Sequence, residues 1–162
     1  MTTLEHLSRY YSQQLSSYRT LAALTEKLLK LTENVEMSAE EIGRLISRRQ
    51  IIIDTITEQE KTAEPLWLVL QKQLGFKPEA QLLPELYPAA AEAKEIAKSH
   101  REIQTILKQI VASDALIRET LATACHKLQK KLCELQKKRQ ASEIYKTTHS
   151  NNKGVFLDSK KN

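Results

Sequence analysis

The four histidines and two cysteines are the residues of this chain best suited to acid–base, nucleophilic or metal chemistry, and their spacing supports none of it. His6, His100, His126 and His149 are scattered, and no pair falls at the i, i+4 spacing that lets two imidazoles hold zinc from one helix face. Cys125 and Cys133 lie too far apart on a straight helix to close a disulfide, and they match no metal motif. They are expected as free thiols in a reducing compartment. Cys125 and His126 are neighbours, so on a helix they point to different faces. With only 3 glycines the chain has no loop to cradle a phosphate. No catalytic residue, metal or cofactor is expected, and the chain does not read as an enzyme.

The charged residues that remain of interest sit on an apolar stripe. Residues 89–145 contain no Pro and no Gly, and their apolar side chains recur at alternating spacings of three and four: Ile103, Leu107, Ile110, Ile117, Leu121, Ala124, Leu128, Leu132 and Leu135. His100 and Asp114 fall in the same frame, as do Lys131 and Lys138, so the stripe is interrupted mid-helix and fades toward its end. His100 and Asp114 are read as solvated, or as satisfied by a neighbouring Tyr or Arg; the sharper alternative makes Asp114 a polar notch that sets register. At about 1.5 Å per residue this helix would be on the order of 85 Å long, more than a compact domain of this size needs. Part of its face is therefore expected to be free for another helix. Ile103, Leu107, Ile110, Asp114, Ile117, Leu121, Leu128 and Leu135 are the candidate partner-binding residues.

Other helices must position this stripe. Leu4, Leu7, Tyr11, Leu15, Tyr18, Leu21, Leu24, Leu28 and Leu31 define an amphipathic helix over 3–34, with Asn34 as a left-handed stop. Ser38 and Glu41 have the spacing of a capping box, and Ile42, Leu45, Ile46, Arg49, Ile52, Ile53 and Ile56 continue a second helix over 38–74. The short polar link makes the pair an antiparallel hairpin. Pro65 predicts a kink near Ala63 and Glu64, and Gly75 a stop. Trp67, the single tryptophan, is expected as a core or end-cap aromatic, and Arg48-Arg49-Gln50 as a feature of the helix surface. Pro78, Pro84 and Pro88 mark residues 76–88 as a loop, packed down in places by Leu82, Leu83, Leu86 and Tyr87.

The expected fold class is all-α: one helical-bundle domain over 1–146, with a long helix over 89–146, and a mobile tail over 147–162. Hydrophobic residues at 41%, charged residues at 28% and only 4 Pro favour long amphipathic helices over strands. The formal charge of +5 is too modest to mark a nucleic-acid binder by itself. Residues 127–139 hold six basic side chains and one acid, Glu134, which read as a solvated helix end that also offsets the helix dipole. The N-terminus lacks a secretory pattern and no apolar run nears the ~20 residues of a membrane span, so the protein is expected to be soluble and cytoplasmic.

The second helix, with Leu45-Ile46-x-x-Arg49-Gln50-x-x-Ile53-Asp54-x-Ile56, resembles that of flagellar export chaperones of the FlgN and FliT type. The long helix, with Asp114, Ile117, Arg118 and Leu121, is similar too. So is the ending: Ile144-Tyr145, a polar spacer, then Gly154-Val155-Phe156-Leu157-Asp158-Ser159-Lys160-Lys161. The resemblance spans nearly the whole chain on loose motifs, of which the ending is the most specific. One departure concerns two asparagines three apart in the FlgN-like long helix, whose places here hold Asp114 and Ile117. The FlgN-like and FliT-like branches are thus both open. The resemblance implies a cytoplasmic chaperone for late flagellar export substrates, either hook–filament junction proteins or the filament cap protein. It also implies contact with the export gate, while the modest charge and the short apolar runs lead us to expect no nucleic acid and no membrane insertion, in a monomer or homodimer. Phe156 and Leu157 are candidate regulatory contacts of a tail that folds back. The alternatives are a basic coiled-coil module binding nucleic acid through residues 127–139, and a coiled coil that only self-associates.

Overall fold

The computed structural model describes residues 2–151 and is all-α. Its helices are α1 (Thr3–Leu31), α2 (Val35–Leu74), α3 (Leu83–Leu86) and α4 (Ala91–Asn151), with 3-10 turns at Thr32–Asn34 and Ala80–Leu82. The chain divides into two compact units, Met1–Thr120 and Leu121–Asn162, and α4 belongs to both.

The first unit packs α1, α2 and the first part of α4 around one core. α1 starts with a true capping box at the head of the chain: the Thr2 hydroxyl accepts from the Glu5 amide at 3.2 Å, and the Thr2 amide donates to the Glu5 carboxylate at 2.7 Å. From there it buries Leu7, Tyr11, Leu15, Tyr18, Leu21, Leu24 and Leu28, the stripe that its periodicity predicts. Each such side chain stabilises the fold by about 1.5–3 kcal/mol when fully buried.

The hairpin forms, but not with the expected ends. α1 stops at Leu31, and Asn34 has φ −137°, outside the left-handed region. α2 begins at Val35, so Ser38 lies inside the helix and caps nothing. The link is a 3-10 turn in which the buried Thr32 hydroxyl donates to the Leu29 carbonyl at 2.6 Å. Glu41, instead of reaching back, lies 3.5 Å from Arg44. Pro65 lies inside α2, and helix continues to Leu74 as expected. The carbonyl deprived of a donor belongs to Lys61, on an exposed stretch where water can serve it. Gly75 ends α2 as expected, at φ +77° and with its amide donating to the Gln71 carbonyl at 2.9 Å.

Contacts between α1 and α2 run in opposite directions along the chain: Gln59 reaches Ser17 at 3.4 Å, and Trp67 meets Tyr11 edge-on at 6.4 Å. Trp67 is thus a half-buried core aromatic. α4 runs parallel to α1, with Ser8 donating to Glu95 at 2.8 Å and Arg19 to Glu102 at 2.7 Å. The connection over 75–90 therefore lies across one end of the bundle. Leu83, on α3, is fully buried there in one cluster with Leu7, Leu70, Ala80, Ala93 and Ile96. Leu82, by contrast, is exposed.

In the second unit, α4 continues as helix to Asn151, past the expected end at 146. No Gly or Pro interrupts 147–151, and the Thr147 hydroxyl donates to the Glu143 carbonyl at 2.7 Å. Phe156, Leu157 and the tail contacts expected of them lie outside the described residues. Among the described residues, no helix is long and apolar enough to cross a membrane.

Candidate partner-binding site

The expected partner-binding stripe of α4 is divided in use. Ile103, Ile110 and Ile117 are buried in the core of the first unit. As docking residues they are therefore corrected: their apolar surface already packs within this chain, because α4 has to seal the groove between α1 and α2. Leu107 lies at the edge of that seal, 36% exposed, and Val111 beside it is open.

Asp114 is also taken. Its carboxylate accepts from the Arg49 guanidinium at 2.6 Å, with Arg49 13% and Asp114 28% exposed. This overturns the surface reading of Arg49 and selects the satisfied reading of Asp114. The signal was available, since both residues fall on the apolar stripes of their helices, and opposite charges on facing stripes are candidates to pair. Arg49 uses one nitrogen for the bond and its buried Nε has no partner, so the pair is not a two-pronged fork. Asp114→Leu should lower stability by about 1.5–3 kcal/mol, mostly by leaving a cation half-buried and alone. Arg49→Met with Asp114→Leu should sit closer to the parent than either single change does. Urea unfolding of the four proteins measures both, and a strictly additive cycle would remove the pair from the account.

His100 lies against the Tyr11 ring, centroids 5.9 Å apart, and shares a hydrogen bond with Gln104 at 2.9 Å. Burial pushes the Tyr11 phenol up to about 12. Burial also holds the His100 imidazole below its ordinary range, opposed by the Glu79 carboxylate. The unfolded chain then binds the proton more tightly than the fold does. The stability from neutral His100 is complete above about pH 6.5 and is lost as the pH falls through the depressed value. The urea midpoint should therefore drop between about pH 7.5 and 5.5, and His100→Gln should flatten that drop. An unchanged slope in the variant would assign the pH dependence to other groups.

A groove of about 560 Å³ lies between α1 and α4, lined by Arg19, Ala22, Glu26, Leu29, Gln109 and Ser113. Small side chains leave it open, and its charges are of both signs. Among the described residues, no three His, Cys, Asp or Glu side chains gather as a metal site.

The second unit supplies the other part of the stripe. Leu121 and Ala124 are half-buried, and every residue from Cys125 to Thr147 is exposed. Leu121, Cys125, Leu128, Leu132 and Leu135 fall within an arc of about 80° on the helix, and Arg139 ends the row. Leu128 is 38%, Leu132 59% and Leu135 61% exposed. Among the described residues this unit is one helical segment, and a single helix cannot bury its own stripe. Leu132, which the sequence places on the stripe but one position off the strict heptad frame, joins the candidate partner-binding residues here. Covering what is still exposed of three leucines contributes about 0.5–2 kcal/mol each, against an association cost of at least about 4 kcal/mol, so the row alone gives modest affinity.

Charge is also unevenly placed. Residues 1–120 carry 15 Lys and Arg against 17 Asp and Glu, whereas residues 121–151 carry seven against two. Lys127, Lys131 and Lys138 border the leucine row on one side, and Gln129, Gln136 and Gln140 on the other. Cys125, within the row, and Cys133, well off it, are both exposed free thiols.

Comparison with protein-family models, curated proteins and solved structures finds no match for this chain.

Proposed function

We propose that the protein is an export chaperone that holds an amphipathic helical segment of a late flagellar substrate, a hook–filament junction protein or the filament cap protein. In this reading it acts in the cytoplasm, prevents premature assembly of its client and delivers it to the export apparatus. The observation that carries the proposal is the exposed leucine row from Leu121 to Leu135, borne on the same helix that the Ile103, Ile110 and Ile117 contacts anchor in the core. A helix with one end packed and an open apolar row beyond it suits helix-in-groove recognition. The resemblance of Leu45 to Ile56, and of Asp114 to Leu121, to FlgN-like and FliT-like chaperones selects the client class.

The test mixes the purified full chain with purified junction proteins and with cap protein, followed by size-exclusion chromatography. One of them should co-elute as a stoichiometric complex, and in it Cys125 should resist alkylation while Cys133 still reacts. Co-elution with none of these proteins would overturn the flagellar reading.

A second reading, nucleic-acid binding, draws on the seven basic residues of the same segment. It predicts affinity that falls steeply with salt, whereas an apolar row holds its ligand in high salt.

A further inference from the structure

From the two unlike borders of the leucine row we infer what covers it: an acidic amphipathic helix, with its carboxylates along the Lys127, Lys131 and Lys138 border, and not a second copy of this chain. The inference rests on the proposal that the row is a docking face, and adds the chemistry and orientation of the occupant. The apolar row sets where a helix lies but cannot choose among helices, because any leucine stripe fits any other. The borders can choose. A lysine row beside the seam attracts Asp and Glu on the flank of an incoming helix and repels Lys and Arg, while the Gln border accepts either sign weakly.

The same borders argue against self-pairing. In an antiparallel pair of copies, twofold symmetry sets lysine border against lysine border. In a parallel pair it sets lysines against glutamines, which supplies no opposite charge to either copy. Both arrangements also bring together two segments that each hold seven cations and two anions. An acidic helix meets neither obstacle, and its charge speeds encounter as well.

Three synthetic peptides test this against the full-length protein. They share one leucine heptad stripe and differ only in the flanking positions, which are Glu, Gln or Lys. Binding is followed by fluorescence anisotropy, and the position of the peptide by alkylation of Cys125 against Cys133. At about 0.1 M salt the Glu peptide should bind at least about tenfold tighter than the Gln peptide and the Lys peptide most weakly, a ranking that narrows at about 0.5 M as charges are screened. Lys127→Glu, Lys131→Glu and Lys138→Glu together should invert the ranking, with helix content checked by circular dichroism. Each bound peptide should protect Cys125 and leave Cys133 reactive.

Equal binding of the Glu and Gln peptides, with Cys125 protected, would overturn the acidic-helix inference and leave the docking face standing. No binding by any peptide would overturn both. Glu-peptide binding that survives Leu128→Gln with Leu132→Gln would show charge acting without the row, and would overturn the inference. Protection of Cys125 that rises with protein concentration in the absence of peptide would identify the second copy as the occupant and overturn it as well.

Discussion

Replacing Leu128 and Leu132 together by Gln is expected to weaken partner binding by about tenfold to a hundredfold and to leave the thermal unfolding midpoint unchanged. Both leucines are open to solvent in the folded chain, so removing them takes nothing from its core. Gln is nearly as good a helix former as Leu, differing by only a few tenths of a kcal/mol, so the helix itself persists. In a complex the two side chains would together contribute about 1.5–3 kcal/mol through the surface they still expose, and their combined loss is a factor of about ten to a hundred in Kd. Isothermal titration with the captured client, beside a calorimetric melt of the free protein, reads both halves. The same exchange at Ile110 is the contrast: that residue is buried, and a Gln there would leave an amide without partners and unfold the first unit first. If the double variant binds as the parent does, the docking face lies elsewhere.

Leu83→Ala should be among the most damaging single truncations, lowering stability by about 2–5 kcal/mol. α3 has one turn, far below the length at which a helix holds itself together, so its place depends on what it inserts into the bundle. Leu83 is that insert, at 0% exposure, in one cluster with Leu7, Leu70 and Ile96. Removing its branched end leaves a cavity at the place where the connection over 75–90 crosses the end of the helices. At roughly 2–4 °C per kcal/mol for a chain of this size, the midpoint should fall by about 4–20 °C. Amide exchange should rise first over 79–90, where Leu82, Tyr87 and Ala90 donate the hydrogen bonds of the strap. A loss under about 1 kcal/mol would mean that the site collapses around the smaller side chain.

The two variants act in different units, and that division was partly legible. α1 announced itself through an unbroken run of Leu and Tyr at helical spacing, and the structure buries that same set from Leu7 to Leu28. Gly75 was readable as a stop because a left-handed residue at the end of a helix favours glycine strongly. Ser38 was misleading. Its spacing to Glu41 suits a capping box, but a local motif forms only where the chain leaves the helix, and the turn at Thr32–Asn34 returns it to helix before Ser38. Pro65 was readable as lying within a helix that runs on to Leu74, since its penalty is reduced where the orphaned carbonyl can meet water.

For the site, the sequence by itself determined that α4 carries an apolar row, that Asp114 interrupts it and that basic residues crowd its last turns. Periodicity and charge are properties of one helix, and they are read without knowing its neighbours. Which stretch of the row is used inside the chain and which is left open was decided only by tertiary structure. Ile103, Ile110 and Ile117 are covered because α1 and α2 meet them, and Asp114 is neutralised because Arg49 faces it from α2. Leu128, Leu132 and Leu135 have the same chemistry and nearly the same spacing, yet they stay exposed. Hydrophobic side chains state only that they favour cover. What covers them depends on where other helices end, and that is a long-range fact that no local pattern contains.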